Sequence, residues 1–311
     1  MKGMESLMGT KNVKRQIKRI QKRTTLLQKL AYIVKPFVVY MLVKTAAMLF
    51  LAIAIPALPI AGIAVWVEHN SRPLSAVVNG VASLVGVRFL LNDFLIEAST
   101  TGEVDIDSSV FVQFLSFLKT DLFEKMIARK ASRLIVCIFL GITASLAFNI
   151  GIELAAEFST SGKNLFGSQR YETVETIQYS VPIGLGIVLY GIISPFVEEI
   201  VFRGVLYNRI RKFYSMKMAV VFSALLFGFF HANLPQFLYG TAMGILMAVC
   251  YAFTDCFAAP VLLHMSANLF IFLASGFTEW TALLVKPIWC VIFTITSIGF
   301  LFYVHGRGKC S

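Results

Sequence analysis

Six polar side chains stand in the oily second half of this chain: Glu198, Glu199, Arg203, His231, His264 and Asn268. An ionisable group inside a membrane span is costly unless it is paired or hydrated, so each marks a functional site by default. Their spacing sorts them. Glu199 and Arg203 are four apart, share a helix face and can pair. Glu198 is turned about 100° from Glu199 on an α-helix, which leaves its carboxylate free to face elsewhere. His264 and Asn268 repeat the four-residue spacing, as do Phe227 and His231, so that an aromatic ring can lie beside that imidazole. A carboxylate, two imidazoles and a carboxamide in a dry pocket suit hydrolysis of a peptide bond. Glu198 can take a proton from water, His231 can orient that water, and His264 with the Asn268 amide can donate to the carbonyl oxygen as it gains charge. In a second arrangement Glu198, His231 and His264 hold a zinc ion that activates the water. The usual helix-borne zinc signature, HExxH, does not occur in the sequence.

These residues must be carried by membrane helices. Of 311 residues, 57% are hydrophobic and 14% charged, against roughly 25% charged in soluble domains. Apolar segments recur near 37–66, 75–96, 134–153, 180–202, 217–233, 236–254, 258–276 and 283–304, which predicts an all-α polytopic membrane bundle of about eight spans, its catalytic cavity inside. Pro56 and Pro59 lie in the first segment and suggest a kink or a re-entrant piece there. Counting rise from the basic turn near Phe213–Met216, Glu198 and His231 both lie roughly 22 Å away and so at one level. Counted from a turn near Asp255–Phe257, His264 is expected about 10 Å shallower.

The net charge of +11 is concentrated at one end. Residues 1–35 carry ten Lys or Arg and one acid, Glu5, for +9. Val13, Ile17, Ile20 and Leu27 share one side of this arm and basic residues the other, the pattern of an amphipathic helix on an anionic lipid surface. With no aromatic or Gly-rich companions, it is not read as a nucleic-acid arm. The positive-inside rule then places the N-terminus in the cytoplasm, and eight spans return the C-terminus there. The arm's long charged region and missing small-x-small site argue against a cleaved signal. Four regions follow: the arm 1–35, an N-terminal membrane region 36–175 with an inner interfacial segment 97–133, a catalytic core 176–305, and a tail 306–311. The segment 97–133 begins acidic and then places Val110, Phe111, Phe114, Phe117 and Leu118 at helical spacing, and the loop 154–178 is expected to face outward. Five scattered cysteines without a CxxC pair exclude a disulfide framework or thiolate metal site.

Three short motifs fall in order on successive predicted spans: "EEIVFR" fits EExxxR, "FGFFH" fits FxxxH and "HMSAN" fits HxxxN. Over residues 180–276 the chain therefore resembles the CPBP family, the CAAX-protease and bacteriocin-processing membrane proteins also called Abi. The resemblance implies an intramembrane endopeptidase acting on a membrane-associated protein or peptide. It assigns Glu198 and His231 to water activation, His264 and Asn268 to the oxyanion, and Glu199 and Arg203 to support. Metal dependence stays open, since the family is often described as metalloprotease while its eukaryotic Ras-converting relatives resemble glutamate-dependent enzymes. Family members mature peptides or confer self-immunity, and some are non-catalytic scaffolds or regulators that bind an envelope partner, the runner-up reading. A proton-coupled transporter ranks last because no internal repeat is visible. A bacterial plasma membrane is the expected location.

Overall fold

The computed structural model describes residues 25–98, 109–121, 131–157, 180–275 and 283–306. Most of the basic arm, most of the loop 154–178, parts of the segment 97–133 and the last five residues lie outside the described residues. Every regular element described is helical. The helices are α1 Leu26–Ala54, α2 Ile63–His69, α3 Ser71–Arg88, α4 Leu91–Ala98, α5 Val110–Lys119, α6 Ala131–Glu157, α7 Ile183–Phe213, α8 Met216–Phe230, α9 Leu234–Thr254, α10 Ala258–Ala274 and α11 Pro287–Gly306.

Five of these, α1, α6, α7, α9 and α11, are long and apolar enough to cross a membrane. The pair α3 and α4, bent by 58°, makes a sixth if it is one span. The chain is an integral membrane protein. The two other expected spans are α8 and α10, of 15 and 17 residues. At 1.5 Å per residue they reach only about 22–26 Å, short of the roughly 30 Å hydrocarbon core. The expected count of eight is therefore not reached by length. The first span also differs from the expected 37–66. Its helix starts at Leu26, where Thr25 and Gln28 form a reciprocal capping box, and ends at Ala54. Pro56 and Pro59 sit in the turn that follows, and Gly62, at φ 78°, starts α2. The expected span at 180–202 instead runs on to Phe213 as one 31-residue helix.

The bundle is built around α7, whose residues Ile200–Tyr207 are all buried. Lipid-facing helices show the reverse of soluble logic. Leu42, Leu49, Phe50 and Ile53 of α1 and Ile288, Val291, Ile295 and Phe302 of α11 are exposed although apolar, as hydrocarbon contact requires. Beneath the site, Phe94, Phe114, Phe117, Phe196 and Phe257 form an aromatic cluster with neighbouring centroids 4.9–6.4 Å apart. It joins α4, α5, α7 and α10. Val110, Phe111, Phe114, Phe117 and Leu118, whose spacing predicts a helix, all fall in α5, and Phe114 is its buried residue.

A second polar centre fixes α7 to α1 and α4. The Arg209 guanidinium pairs with Asp93 and with Glu97 (3.2 Å) and donates to the Tyr32 carbonyl at 2.7 Å. Lys212 pairs with Glu97 at 2.6 Å, and the Tyr32 hydroxyl donates to Glu97 at 2.6 Å. Arg209 and Glu97 are buried here, while Asp93 and Lys212 reach the surface, so the buried pair is completed from an exposed rim. No disulfide joins the cysteines at 137, 250, 256 and 290.

Candidate active site

The sequence of α7 determines its distortion. A π-helical stretch, Ile187–Ile193, ends where the Ser194 N–H bonds to the Leu189 carbonyl, five residues back. The next donor in that register would be residue 195, and Pro195 has none. The Tyr190 carbonyl is thus released from the helix, and the Asn268 amide of α10 donates to it at 3.2 Å. One proline creates the acceptor that fixes Asn268. Ser194–Glu199 then returns to α-helical winding before a second π stretch, Ile200–Tyr207. Such stretches are rare and gather at functional sites.

The two glutamates separate as their spacing predicts. Glu199 Oε1 accepts from Arg203 Nη1 at 2.7 Å, with both side chains fully buried. The other Arg203 nitrogen, Nη2, donates to the Gly244 carbonyl of α9 at 3.0 Å. Gly244 permits that approach: a Cβ there would stand 3.0 Å from Ala224 Cα and 3.3 Å from Arg203 Nη2. Glu198 has a different partner, the Ser194 hydroxyl, which donates to its Oε1 at 2.7 Å.

His264 joins the two carboxylates. Its Nδ1 lies 2.9 Å from Glu199 Oε1 and its Nε2 lies 3.8 Å from Glu198 Oε2. A carboxylate only accepts, so Nδ1 carries the proton and Nε2 is the atom turned toward Glu198. Arg203, Glu199 and His264 thus form a chain that orients one imidazole edge toward the free carboxylate. The expectation that His264 would sit about 10 Å shallower is corrected, because its premise fails. The chain turns inward directly after the exposed Asp255. Cys256, Phe257, Ala258 and Ala259 are all buried, and Asp121 Oδ2 caps the buried helix start by accepting from the Ala258 N–H at 2.9 Å. An α10 that starts deep brings His264 to the level of the glutamates.

His231 terminates α8 and faces the same space from another side. Its Nδ1 donates to the Phe227 carbonyl at 3.0 Å, which leaves Nε2 as an acceptor. The Phe227 ring touches His231 (5.1 Å), His264 (5.5 Å) and the Arg203 guanidinium (4.8 Å), so one aromatic ring sets the level of all three. Glu198 and His231 make no hydrogen bond or ion pair with one another. Ala232, next in the chain, is held at φ 57°, an uncommon conformation for a residue with a Cβ. Asn233 pins this turn by donating to the His231 carbonyl at 3.2 Å and accepting from Gln236 N at 3.0 Å.

Four of the six residues singled out by sequence, Arg203, Glu199, His264 and Glu198, are joined by hydrogen bonds and ion pairs; His231 meets them through Phe227, and Asn268 is bonded to the Tyr190 carbonyl of α7. Asn268 has one amide hydrogen engaged by Tyr190. Among the described residues no three His, Cys, Asp or Glu side chains form a group able to hold a metal. The set Glu198, His231 and His264 does not fit a zinc centre as it stands. Ser194, Tyr190, Asn233 and Asp121 were missed by sequence reasoning. Ser194 was legible as the residue one turn before Glu198, and the Tyr190 carbonyl from Pro195. Asp121 carried no local signal, because its partner is 137 residues away.

Residues 181–270 match the family model described as type II CAAX prenyl endopeptidase Rce1-like. A curated relative from Bacillus subtilis (strain 168), named "Putative membrane peptidase YdiL", is 29% identical over 124 residues, 40% of this chain. The alignment spans 50% of that relative's own length. No solved structure matches the chain. The matched segment contains every one of the six site residues, and over it the chain is similar to the Rce1-like endopeptidases, consistent with the CPBP resemblance carried by its three motifs.

Proposed function

We propose that the chain is an intramembrane peptidase that hydrolyses a membrane-associated protein or peptide by attack of water. The observation that carries this reading is the division of labour between adjacent glutamates. Glu199 is fully buried, its Oε1 shared by Arg203 and His264 and its Oε2 without a hydrogen-bond partner, while Glu198 lies at the edge of the buried region and turns a carboxylate oxygen toward the imidazole edge of His264 at 3.8 Å. Glu198 takes the proton from water and delivers it to the leaving amine. His231 Nε2, unprotonated by its tautomer, holds the second water hydrogen. The free amide hydrogen of Asn268 stabilises the oxyanion, and His264 joins it as the imidazolium, with Nε2 protonated as well as Nδ1. No step here is routed through a metal ion. The similarity of residues 181–270 to prenyl endopeptidases supports the reaction class. A bacterial plasma membrane with both termini cytoplasmic, and anionic lipid bound by the basic arm, complete the proposal.

The test is cleavage of a membrane-peptide library by purified protein, compared with Glu198→Ala and His231→Ala, the products read by mass spectrometry. Products made by the wild type and missing from both variants support the peptidase. Identical products from all three, or none from the wild type alongside undiminished binding of a peptide partner, overturn it in favour of a non-catalytic scaffold.

A further inference from the structure

Lys44 is the one charged residue between Lys35 and Glu68, and it lies within α1, a helix outside the family-matched segment. Its position is set by a face of α1 that includes Ile33, Phe37 and Tyr40, at spacings of four, three and four. Ile33 and Tyr40 are buried, and Phe37 packs on Phe202 and Phe230 at 5.7 and 6.4 Å. The same face thus reaches the end of α8 that presents His231. Gly86 of α3 allows α1 to come close there: a Cβ on it would meet the Tyr40 ring at 2.9 Å and Lys44 Cβ at 3.3 Å.

The register agrees. Tyr32 is bonded to Arg209; Lys44 lies twelve residues on in α1 and Glu198 eleven back in α7, each roughly 16–18 Å along the helix. Lys44 Nζ sits over the Phe230 ring at 5.3 Å and near the Tyr40 ring at 6.0 Å. Among the described residues no Asp or Glu is within ion-pair distance of its ammonium. From Lys44 to the end of α1 is about 15 Å, too far for the side chain to snorkel out.

An ammonium at this level, whose contacts among the described residues are the Phe230 and Tyr40 ring faces, is placed to receive an anion. We infer that Lys44 is a substrate-binding residue that receives a carboxylate of the peptide, either its C-terminus or an acidic side chain. The inference rests on the peptidase reading above. The carboxylate fastens to Lys44, and the bond to be cut is thereby held against Glu198 and His231. The aromatic rings keep the ammonium extended in the peptide-free site, so less ordering is needed when the anion arrives.

The test uses a membrane-anchored fluorogenic peptide library in matched sets. One arm ends in a free carboxylate or a carboxamide, and the other carries Glu or Gln at the penultimate position. Wild type, Lys44→Met and Lys44→Arg are compared for cleavage, and the same substitutions on a Glu198→Gln background for binding by fluorescence anisotropy. Wild type is expected to favour the carboxylate member of one arm by about tenfold in kcat/KM, a modest value for a single charge contact. Lys44→Met should erase that preference through KM, slowing the carboxylate members far more than the uncharged ones, while Lys44→Arg keeps most of it. Binding should follow the same order without cleavage. The arm that responds identifies the source of the carboxylate. Equal slowing of all members by Lys44→Met, or no carboxylate preference in wild-type cleavage and in binding, overturns the inference. Carboxylate-dependent binding without any cleavage sinks the peptidase reading while leaving Lys44 as the anion site.

Discussion

At the scale of the residue, adjacent glutamates are separated by what each already holds. Glu199 Oε1 is shared by Arg203 and His264, so removing Arg203 strands a fully buried carboxylate. Arg203→Met should cost about 3–5 kcal/mol of stability, as uncompensated buried charges do. Adding Glu199→Leu should recover much of that loss but none of the activity, since His264 then lacks its orienting partner. Thermal unfolding in detergent beside a cleavage assay checks both. Ser194→Ala removes one donor from Glu198 and should lower kcat by about tenfold, the loss of a hydrogen bond to a charged group. The division between Glu198 and Glu199 was legible in four-residue spacing alone. The bond from His264 to Glu199 was not, because helix periodicity says nothing about which neighbouring helix a side chain meets.

At the scale of the element, Pro195 and Asn268 act as a pair across two helices. Asn268→Ala leaves the Tyr190 carbonyl without its donor and should cost about 1–3 kcal/mol, the usual penalty for an orphaned buried group. On a Pro195→Ala background a backbone N–H returns to α7, and the same substitution should cost less. A double-mutant cycle of unfolding midpoints reads the difference. A second element-scale expectation concerns the start of α10. Asp121→Ala uncaps the buried Ala258 N–H and should destabilise by about 1–2 kcal/mol, with lowered cleavage because His264 depends on that helix. Sequence reasoning put this turn at a membrane surface and so mislaid His264. Apolar runs mark where a helix is oily, and a helix that begins inside the protein is oily at its start as well.

At the scale of the whole molecule, a motif-bearing core is held by helices that bear none of the motifs. The all-helical membrane architecture was plain from composition and from the recurrence of apolar runs. The number of crossings was less so, since α8 and α10, at 15 and 17 residues, are as apolar as the longer helices but need only reach the site. The Arg209 centre was legible only in part: the basic cluster near residue 209 reads as loop charge, whereas the structure buries Arg209 against Asp93 and Glu97. Arg209→Gln should loosen α1 and α4 together and cost about 1–3 kcal/mol, less than a stranded charge because Lys212 still pairs with Glu97. Limited proteolysis should then cut first in the α1–α4 region. An unchanged cleavage pattern would show that this centre does not bind the two halves.

The most direct measurement compares Glu198→Gln with Glu199→Gln in the same vesicles, taking kcat and the unfolding midpoint of each. Gln at 198 keeps the shape and can still accept from Ser194. The expected result is an unfolding midpoint close to wild type with kcat lowered by about 10²–10⁴-fold, the usual worth of a general base. Gln at 199 should instead lower the midpoint markedly, because Arg203 is then buried without a counter-charge. Wild-type kcat in Glu198→Gln, or a large loss of stability from that variant alone, would contradict the assignment of Glu198 to the chemistry and Glu199 to the frame.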